Sequence, residues 1–216
     1  DVLVLDNIHA FHLGFKNRIM IADFVRNGGG LLVFGGYLNF SMGADHNTYL
    51  EDMLPIKITQ FGDFVADNDG LKLTPVDTDF FADVDWEKDT YAFTVETSEL
   101  KEGARVLAKA GDHPAIVAGT YGQGRVIVIH MNAHGDYPED RTPYWQWQEW
   151  PNVVTACLRW LGEGAGEKTT VERKREIDPS KPMPDELLME AFTLSGKEFT
   201  EKLRQATVNV VDTESA

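Results

Sequence analysis

The stretch Asn27–Gly28–Gly29–Gly30–Leu31–Leu32–Val33–Phe34–Gly35–Gly36–Tyr37–Leu38 decides the fold. It reads as a helix end, a buried strand, and a sharp glycine turn at the carboxyl end of that strand. In open α/β sheets, ligands and catalytic groups sit outside that end of the strands. A nucleophile elbow would place Ser or Cys in such a turn. Here the turn carries Gly35, Gly36 and Tyr37, with neither a thiol nor a hydroxymethyl group.

Upstream, Val2–Leu3–Val4–Leu5 is a short continuous apolar run that predicts a strand buried on both faces. The residues from Asp6 to His12 form the loop at its carboxyl end. Ile19, Ala22, Phe24 and Val25 then fit a helix of about three turns, stopped by the glycines. Together these segments make a β-α-β unit, the building block of a parallel sheet. Downstream, 47–54 reads as a short helix ending at Pro55, 56–61 as a strand, and 62–90 as irregular, acidic and rich in turn residues. Strands are predicted over 91–95 and 105–108. A hairpin is predicted from 114–120 and 125–130, joined by Tyr121–Gly122–Gln123–Gly124. A helix over 153–161 places Val154, Cys157, Leu158 and Leu161 on one face, with Trp160 in the core. Residues 1–162 therefore form an α/β domain. Residues 163–184, with Pro179, Pro182 and Pro184, form a linker, and 185–216 an extension of two short helices and a strand.

The chain has 216 residues and a net charge of −15, from 20 basic and 35 acidic side chains. That balance excludes nucleic acid as a partner, because phosphate binding needs clustered Lys and Arg. Cys157 is the single cysteine, so no intramolecular disulfide or Cys-based zinc site can form. No apolar run approaches the ~20 residues that span a bilayer. No signal peptide is visible, but Asp1 falls inside a strand pattern and residues are expected upstream, so the compartment stays open, with the cytoplasm favoured.

Two segments carry a family resemblance. One runs from Asp1 through Ile8, then from Ala22 through the glycine run to Tyr37. The other is Tyr121–Gly122–Gln123–Gly124–Arg125–Val126, continuing to His134 and to Leu158–Arg159–Trp160–Leu161. Both resemble the glutamine amidotransferase-like family, a relative of class I amidotransferases and of ThuA-like trehalose-utilisation proteins, over residues 1–162. The resemblance implies a flavodoxin-like three-layer α/β sandwich with its site above the carboxyl edge of the sheet. It also implies a first strand and helix ahead of Asp1. Amidotransferases attack glutamine with an elbow cysteine. This chain has Gly36 and Tyr37 there, and Cys157 falls on the late helix, so glutaminase chemistry is not expected.

Candidate site residues follow from this placement. His134 is read as a general base after the last strand, with Asp6 or Glu149 as its acid. Asn7, His9, His12, Gly35, Gly36, Tyr37, His130, Asn132 and Asp136 are read as ligand-binding groups around the elbow. Trp145 and Trp147 suit a sugar-binding platform, although large aromatics also bury well as a plug. Ser41 is a substitute nucleophile with no assigned base. No metal site and no cofactor are expected, since none of the His and carboxylate spacings is a recognised ligand motif. The leading expectation is a pseudoenzyme domain that binds a small polar ligand, such as a carbohydrate, or another protein chain, with homo-oligomerisation open. The alternatives are a hydrolase acting on a carbohydrate or amide through His134, and a structural domain of a larger protein.

Overall fold

A computed structural model describes residues 1–46, 48–59, 63–134 and 136–163. The expected linker and C-terminal extension lie outside the described residues. The elements run β1 (Val2–Asp6), α1 (Ala10–Arg26), β2 (Gly30–Phe34), α2 (Tyr49–Met53), β3 (Ile56–Lys57), β4 (Phe64–Pro75), β5 (Tyr91–Glu96), β6 (Glu99–Leu100), β7 (Arg105–Ala110), β8 (His113–Tyr121), β9 (Gly124–Ile129) and α3 (Trp150–Glu163). Seven strands form one sheet in the order β1-β2-β9-β8-β7-β4-β5, while β3 and β6 pair separately. The β1, β2 and β9 strands are parallel, with Leu3 opposite Leu31 and Leu31 opposite Val126. From β9 onward the neighbours are antiparallel.

The alternation of side chains along β2 and β9 builds the three layers. Leu31, Val33, Val126 and Val128 pack with Ile21, Ala22 and Val25 of α1 and Leu50 and Met53 of α2. Leu32, Ile127 and Ile129 pack on the other face with Val153, Ala156, Cys157 and Leu161 of α3. Each buried Leu, Ile, Val or Met among them contributes about 1.5–3 kcal/mol relative to exposure. The result is a flavodoxin-like α/β sandwich whose parallel half carries the glycine turn.

The helix stop is a Schellman motif. Gly28 has φ 100°, its N–H donates to Val25 O at 2.9 Å, and the Gly29 N–H donates to Phe24 O at 3.0 Å. The β8–β9 turn docks on this motif. The Gln123 N–H donates to Arg26 O at 3.0 Å, and the Arg26 guanidinium donates to Tyr121 Oη at 2.6 Å while lying over the Tyr121 ring. Arg125 donates to Trp160 O at 2.6 Å and so ties in the end of α3.

Several expectations need correction. The β1 strand is not buried on both faces: it is the sheet edge among the described residues, and Val4 is 45% exposed. The helix α1 begins at Ala10, ahead of the expected apolar stripe, and breaks at Gly14, where φ is 68°. The segment 62–90 is not irregular throughout, because β4 occupies Phe64–Pro75. The turn-like Asp67, Asn68, Asp69 and Gly70 fall at a shift in its register with β5. The β3 strand spans only Ile56–Lys57 of the strand expected over 56–61. On α3 the buried residues are Val153, Ala156, Cys157 and Leu161, with Val154 and Leu158 packed partly buried beside them. Trp160 is also half-buried, flanked by the Arg105 and Arg125 guanidinium groups.

Two glycines test this packing. A Cβ on Gly124 would strike the backbone carbonyl groups of Val25 and Gly29, whereas one on Gly162 in α3 meets nothing within 4 Å. Gly124→Ala is expected to destabilise by about 3 kcal/mol or more, since backbone must shift. Gly162→Ala is expected to stabilise by about 0.5 kcal/mol through helix propensity. Urea unfolding midpoints of the two variants check both signs.

Candidate functional site

The glycine turn sits where β1, β2 and β9 end. The Gly35 N–H donates to Ile129 O at 2.6 Å. A Cβ on Gly35 would lie 2.9 Å from Ile129 O, 3.0 Å from Met131 O and 3.1 Å from Asn132 Oδ1, so only glycine lets the chain pass. A Cβ on Gly36 would collide with the Asn7 side chain. Asn7 itself takes a left-handed φ of 47°, and its Oδ1 accepts the Leu38 N–H at 2.8 Å. Asn39 completes the join: its Oδ1 accepts the Ile8 N–H at 2.7 Å and its Nδ2 donates to Phe34 O. Two asparagines thus pin the loop after β1 to the elbow after β2.

Tyr37 projects from the elbow, 46% exposed, with its ring edge-on to exposed His134 at 5.1 Å. Among the described residues, nothing accepts from the N–H groups of Gly36 and Tyr37. Asp6 reaches the same edge. Burial and, after it, the Asp6 charge raise the Tyr144 hydroxyl above its ordinary value, and that hydroxyl donates to Met131 O at 3.1 Å. His9 caps α1 by accepting the Phe11 N–H at 3.1 Å, and exposed His12 lies edge-on to it at 5.9 Å. Asp136 is exposed on the loop that carries His134.

Four candidates are placed differently from the sequence reading. Glu149 does not serve as the acid for His134. Its carboxylate accepts from the Asn152 amide at 2.7 Å and from the Asp85 N–H at 3.4 Å, at the start of α3. Trp147 is 4% exposed against Trp86, at 5.1 Å, and belongs to the core. Trp145 packs with Phe93, Tyr137 and Tyr144, so the aromatic segment is chiefly a plug. His130 is 1% exposed and faces the interior.

Sequence reasoning missed the buried carboxyl groups of Glu96 and Asp45 beneath the elbow. The end of β5 crosses the end of β9: Val95 bridges Met131, and the Glu96 N–H donates to His130 O at 2.8 Å. This brings buried Glu96 to Ser41, whose Oγ donates to Glu96 Oε2 at 3.3 Å, and to the Asn132 amide. Among the described residues, Asn132 Oδ1 and Asp45 Oδ1 are buried without a hydrogen-bond partner. Burial pushes the Glu96 carboxyl up to about 7, against the hydrogen bonds from Ser41 and Asn132. Burial likewise pushes Asp45 up to about 7, against the Phe40 N–H and the Arg18 charge. His130 is driven down to about 4 by burial, opposed by its bond to Pro114 O. His130 and Asn132 were read as ligand-binding groups, but nothing local signals Glu96, because the β5–β9 crossing that brings it to them is set by distant pairing. Ser41 was visible, but its base was not.

Among the described residues, no group of three His, Cys, Asp or Glu is placed to hold a metal ion. None of their helices is long and apolar enough to cross a membrane. Cys157 is fully buried in α3, and burial pushes its thiol up to about 12.

The fold and the elbow at the carboxyl edge define an amidotransferase-like α/β domain. The chain belongs to the family described as "Putative glutamine amidotransferase", whose profile matches residues 7–163. Among solved structures, it is similar to the cytoplasmic protein STM3548 from Salmonella typhimurium, with TM-score 0.65 and 21% identity over 74% of this chain and 71% of that one. A second cytoplasmic protein, STM1381 from Salmonella typhimurium LT2, matches with TM-score 0.64 and 24% identity over the same shares, 74% and 71%. A ThuA-like protein from Bacteroides uniformis matches with TM-score 0.50 and 15% identity over 74% of this chain and 68% of that one. These likenesses show the shared fold. None of the curated proteins matches the chain.

The buried ionisable groups predict how stability varies with pH. Asp45 and Glu96 bind a proton more tightly folded than at their ordinary 3.8 and 4.5. Their contribution is full below those values and is lost as pH rises through about 7. His130 acts oppositely: its contribution is present above 6.5 and is lost as pH falls through about 4. The urea midpoint is therefore expected to be higher at pH 5.5 than at pH 8. Asp45→Asn and Glu96→Gln should each shrink that difference, and His130→Gln should widen it. A wild-type difference in all three variants would refute the assignment.

Proposed function

We propose that this chain is an amidotransferase-like domain that has left the thiol route and binds a small polar ligand at the glycine elbow. One observation carries the reading. The elbow is built and braced, yet it holds Gly35, Gly36 and Tyr37, while the only cysteine is buried in α3. A thiol held at about 12 supplies almost no thiolate at neutral pH. What remains at the elbow suits binding. Two backbone N–H groups, at Gly36 and Tyr37, are left for a carbonyl or carboxylate oxygen. The Tyr37 and His134 rings give an adjacent polar and aromatic wall.

A hydrolytic reading through His134 is favoured by its exposure and its contact with Tyr37, with Asp6 as the acid at the same edge. The two readings share the ligand and differ in turnover.

Purified protein is expected to release no ammonia from glutamine above background. In a melting panel of glutamine, small carboxylates and simple sugars, one class should raise the melting temperature by mass action. Tyr37→Ala and His134→Ala should each weaken that ligand about tenfold, close to 1.4 kcal/mol. Turnover of the same ligand, abolished by His134→Ala, would replace binding by hydrolysis. Ammonia release lost in Cys157→Ser would overturn the proposal, and a flat panel would point instead to a protein partner.

A further inference from the structure

Beside the elbow, a second arrangement has no part in that reading. His130 follows β9, and its ring is held from both sides. Nδ1 lies 2.9 Å from Pro114 O, and Nε2 lies 3.1 Å from Ser98 Oγ. A carbonyl oxygen only accepts, so Nδ1 carries the proton and Nε2 presents its lone pair to the Ser98 hydroxyl. The backbone on either side is fixed as well, by the His130 N–H to Ala115 O and the Glu96 N–H to His130 O, each at 2.8 Å. The Phe40 ring closes over the imidazole edge-on, at 5.5 Å. Ser98 sits on the short link between β5 and β6 and is half-buried, while the imidazole behind it is 1% exposed.

Nucleophile, base and orienting acceptor are thus within hydrogen-bond distance of one another in turn, with a backbone carbonyl where hydrolases place a carboxylate. We propose that Ser98 and His130 form a nucleophile–base pair that transfers acyl groups from small activated esters, at a centre separate from the elbow. In the first step Ser98 Oγ bonds to the ester carbonyl carbon and its proton passes to His130 Nε2. The carbon–oxygen bond to the leaving group breaks, and that oxygen takes the proton from Nε2. Water then attacks the acyl-serine, giving its proton through Nε2 back to Ser98 Oγ, and the carboxylic acid departs. The sum is ester plus water to acid plus alcohol. Burial makes the imidazole a weak base. This restricts the pair to aryl esters and similar donors, whose leaving groups need little protonation.

The test is labelling of the full chain with a fluorophosphonate probe, read by intact mass and peptide mapping, with p-nitrophenyl acetate as the turnover substrate. A single adduct on Ser98 is expected, together with a burst of p-nitrophenolate. Ser98→Ala should abolish both. His130→Gln, checked for a native melting curve, should slow labelling about a hundredfold, the size of a general-base contribution. The proposal fails if folded protein takes no label, if the adduct maps to Ser41 beside Glu96, or if His130→Gln labels at the wild-type rate. None of these outcomes depends on what binds at the elbow.

Discussion

The fold depends on a backbone-to-backbone docking: the β8–β9 turn seated on the end of α1. The Schellman motif exposes carbonyl groups at Val25, Arg26 and Gly29, and the turn approaches them so closely that position 124 has no room for a Cβ. This contact brings β9 beside β2, with Gly30 opposite Arg125 and Phe34 opposite Ile129. Parallel strands have no hairpin to set their register, so a distant contact has to do it. Arg26 and Arg125 extend the joint, one to Tyr121 and the other to the end of α3. Both helical layers are therefore referenced to a single turn.

The same register sets the elbow. Once Phe34 and Ile129 are side by side, the chain leaving β2 must pass the carbonyl groups of Ile129 and Met131, and Gly35 fits where no other residue would. Asn7 and Asn39 then close the loops over it. This bracing serves any chemistry that wants two backbone donors at the sheet edge. It does not require a thiol, because the contacts that hold the elbow come from backbone carbonyl groups and two asparagine amides.

Legibility in the sequence follows the range of the interactions. The glycine stop, β2, the hairpin and α3 were readable because short periodicities and turn residues encode them. The β4 strand was not, since Asp67–Asn68–Asp69–Gly70 carries turn chemistry locally and only its pairing with β5 and β7 makes it a strand. The site divides in the same way. Asn7, Gly35, Gly36, Tyr37 and His134 could be placed together from sequence because they lie at strand ends. Glu149, Trp147 and Trp145 were misjudged because polar and aromatic composition near a site looks alike whether it faces a ligand or fills a plug. Glu96 and Ser98 went unnoticed because β5 reaches β9 only through the antiparallel half of the sheet.

That antiparallel half also explains why so many ionisable groups are buried. A purely parallel sheet leaves its carboxyl edge open to water. Here β5 folds back over the end of β9 and covers His130, Asn132 and Glu96, which a more open edge would leave hydrated. Carboxyl groups in such a place hold their protons to near neutrality and the imidazole loses its own. A core built only for stability would place apolar side chains there, since buried polar groups with unmet bonding capacity cost stability. Retaining Asp45, Glu96, His130 and Asn132 beneath the braced elbow therefore costs stability and ties that stability to pH.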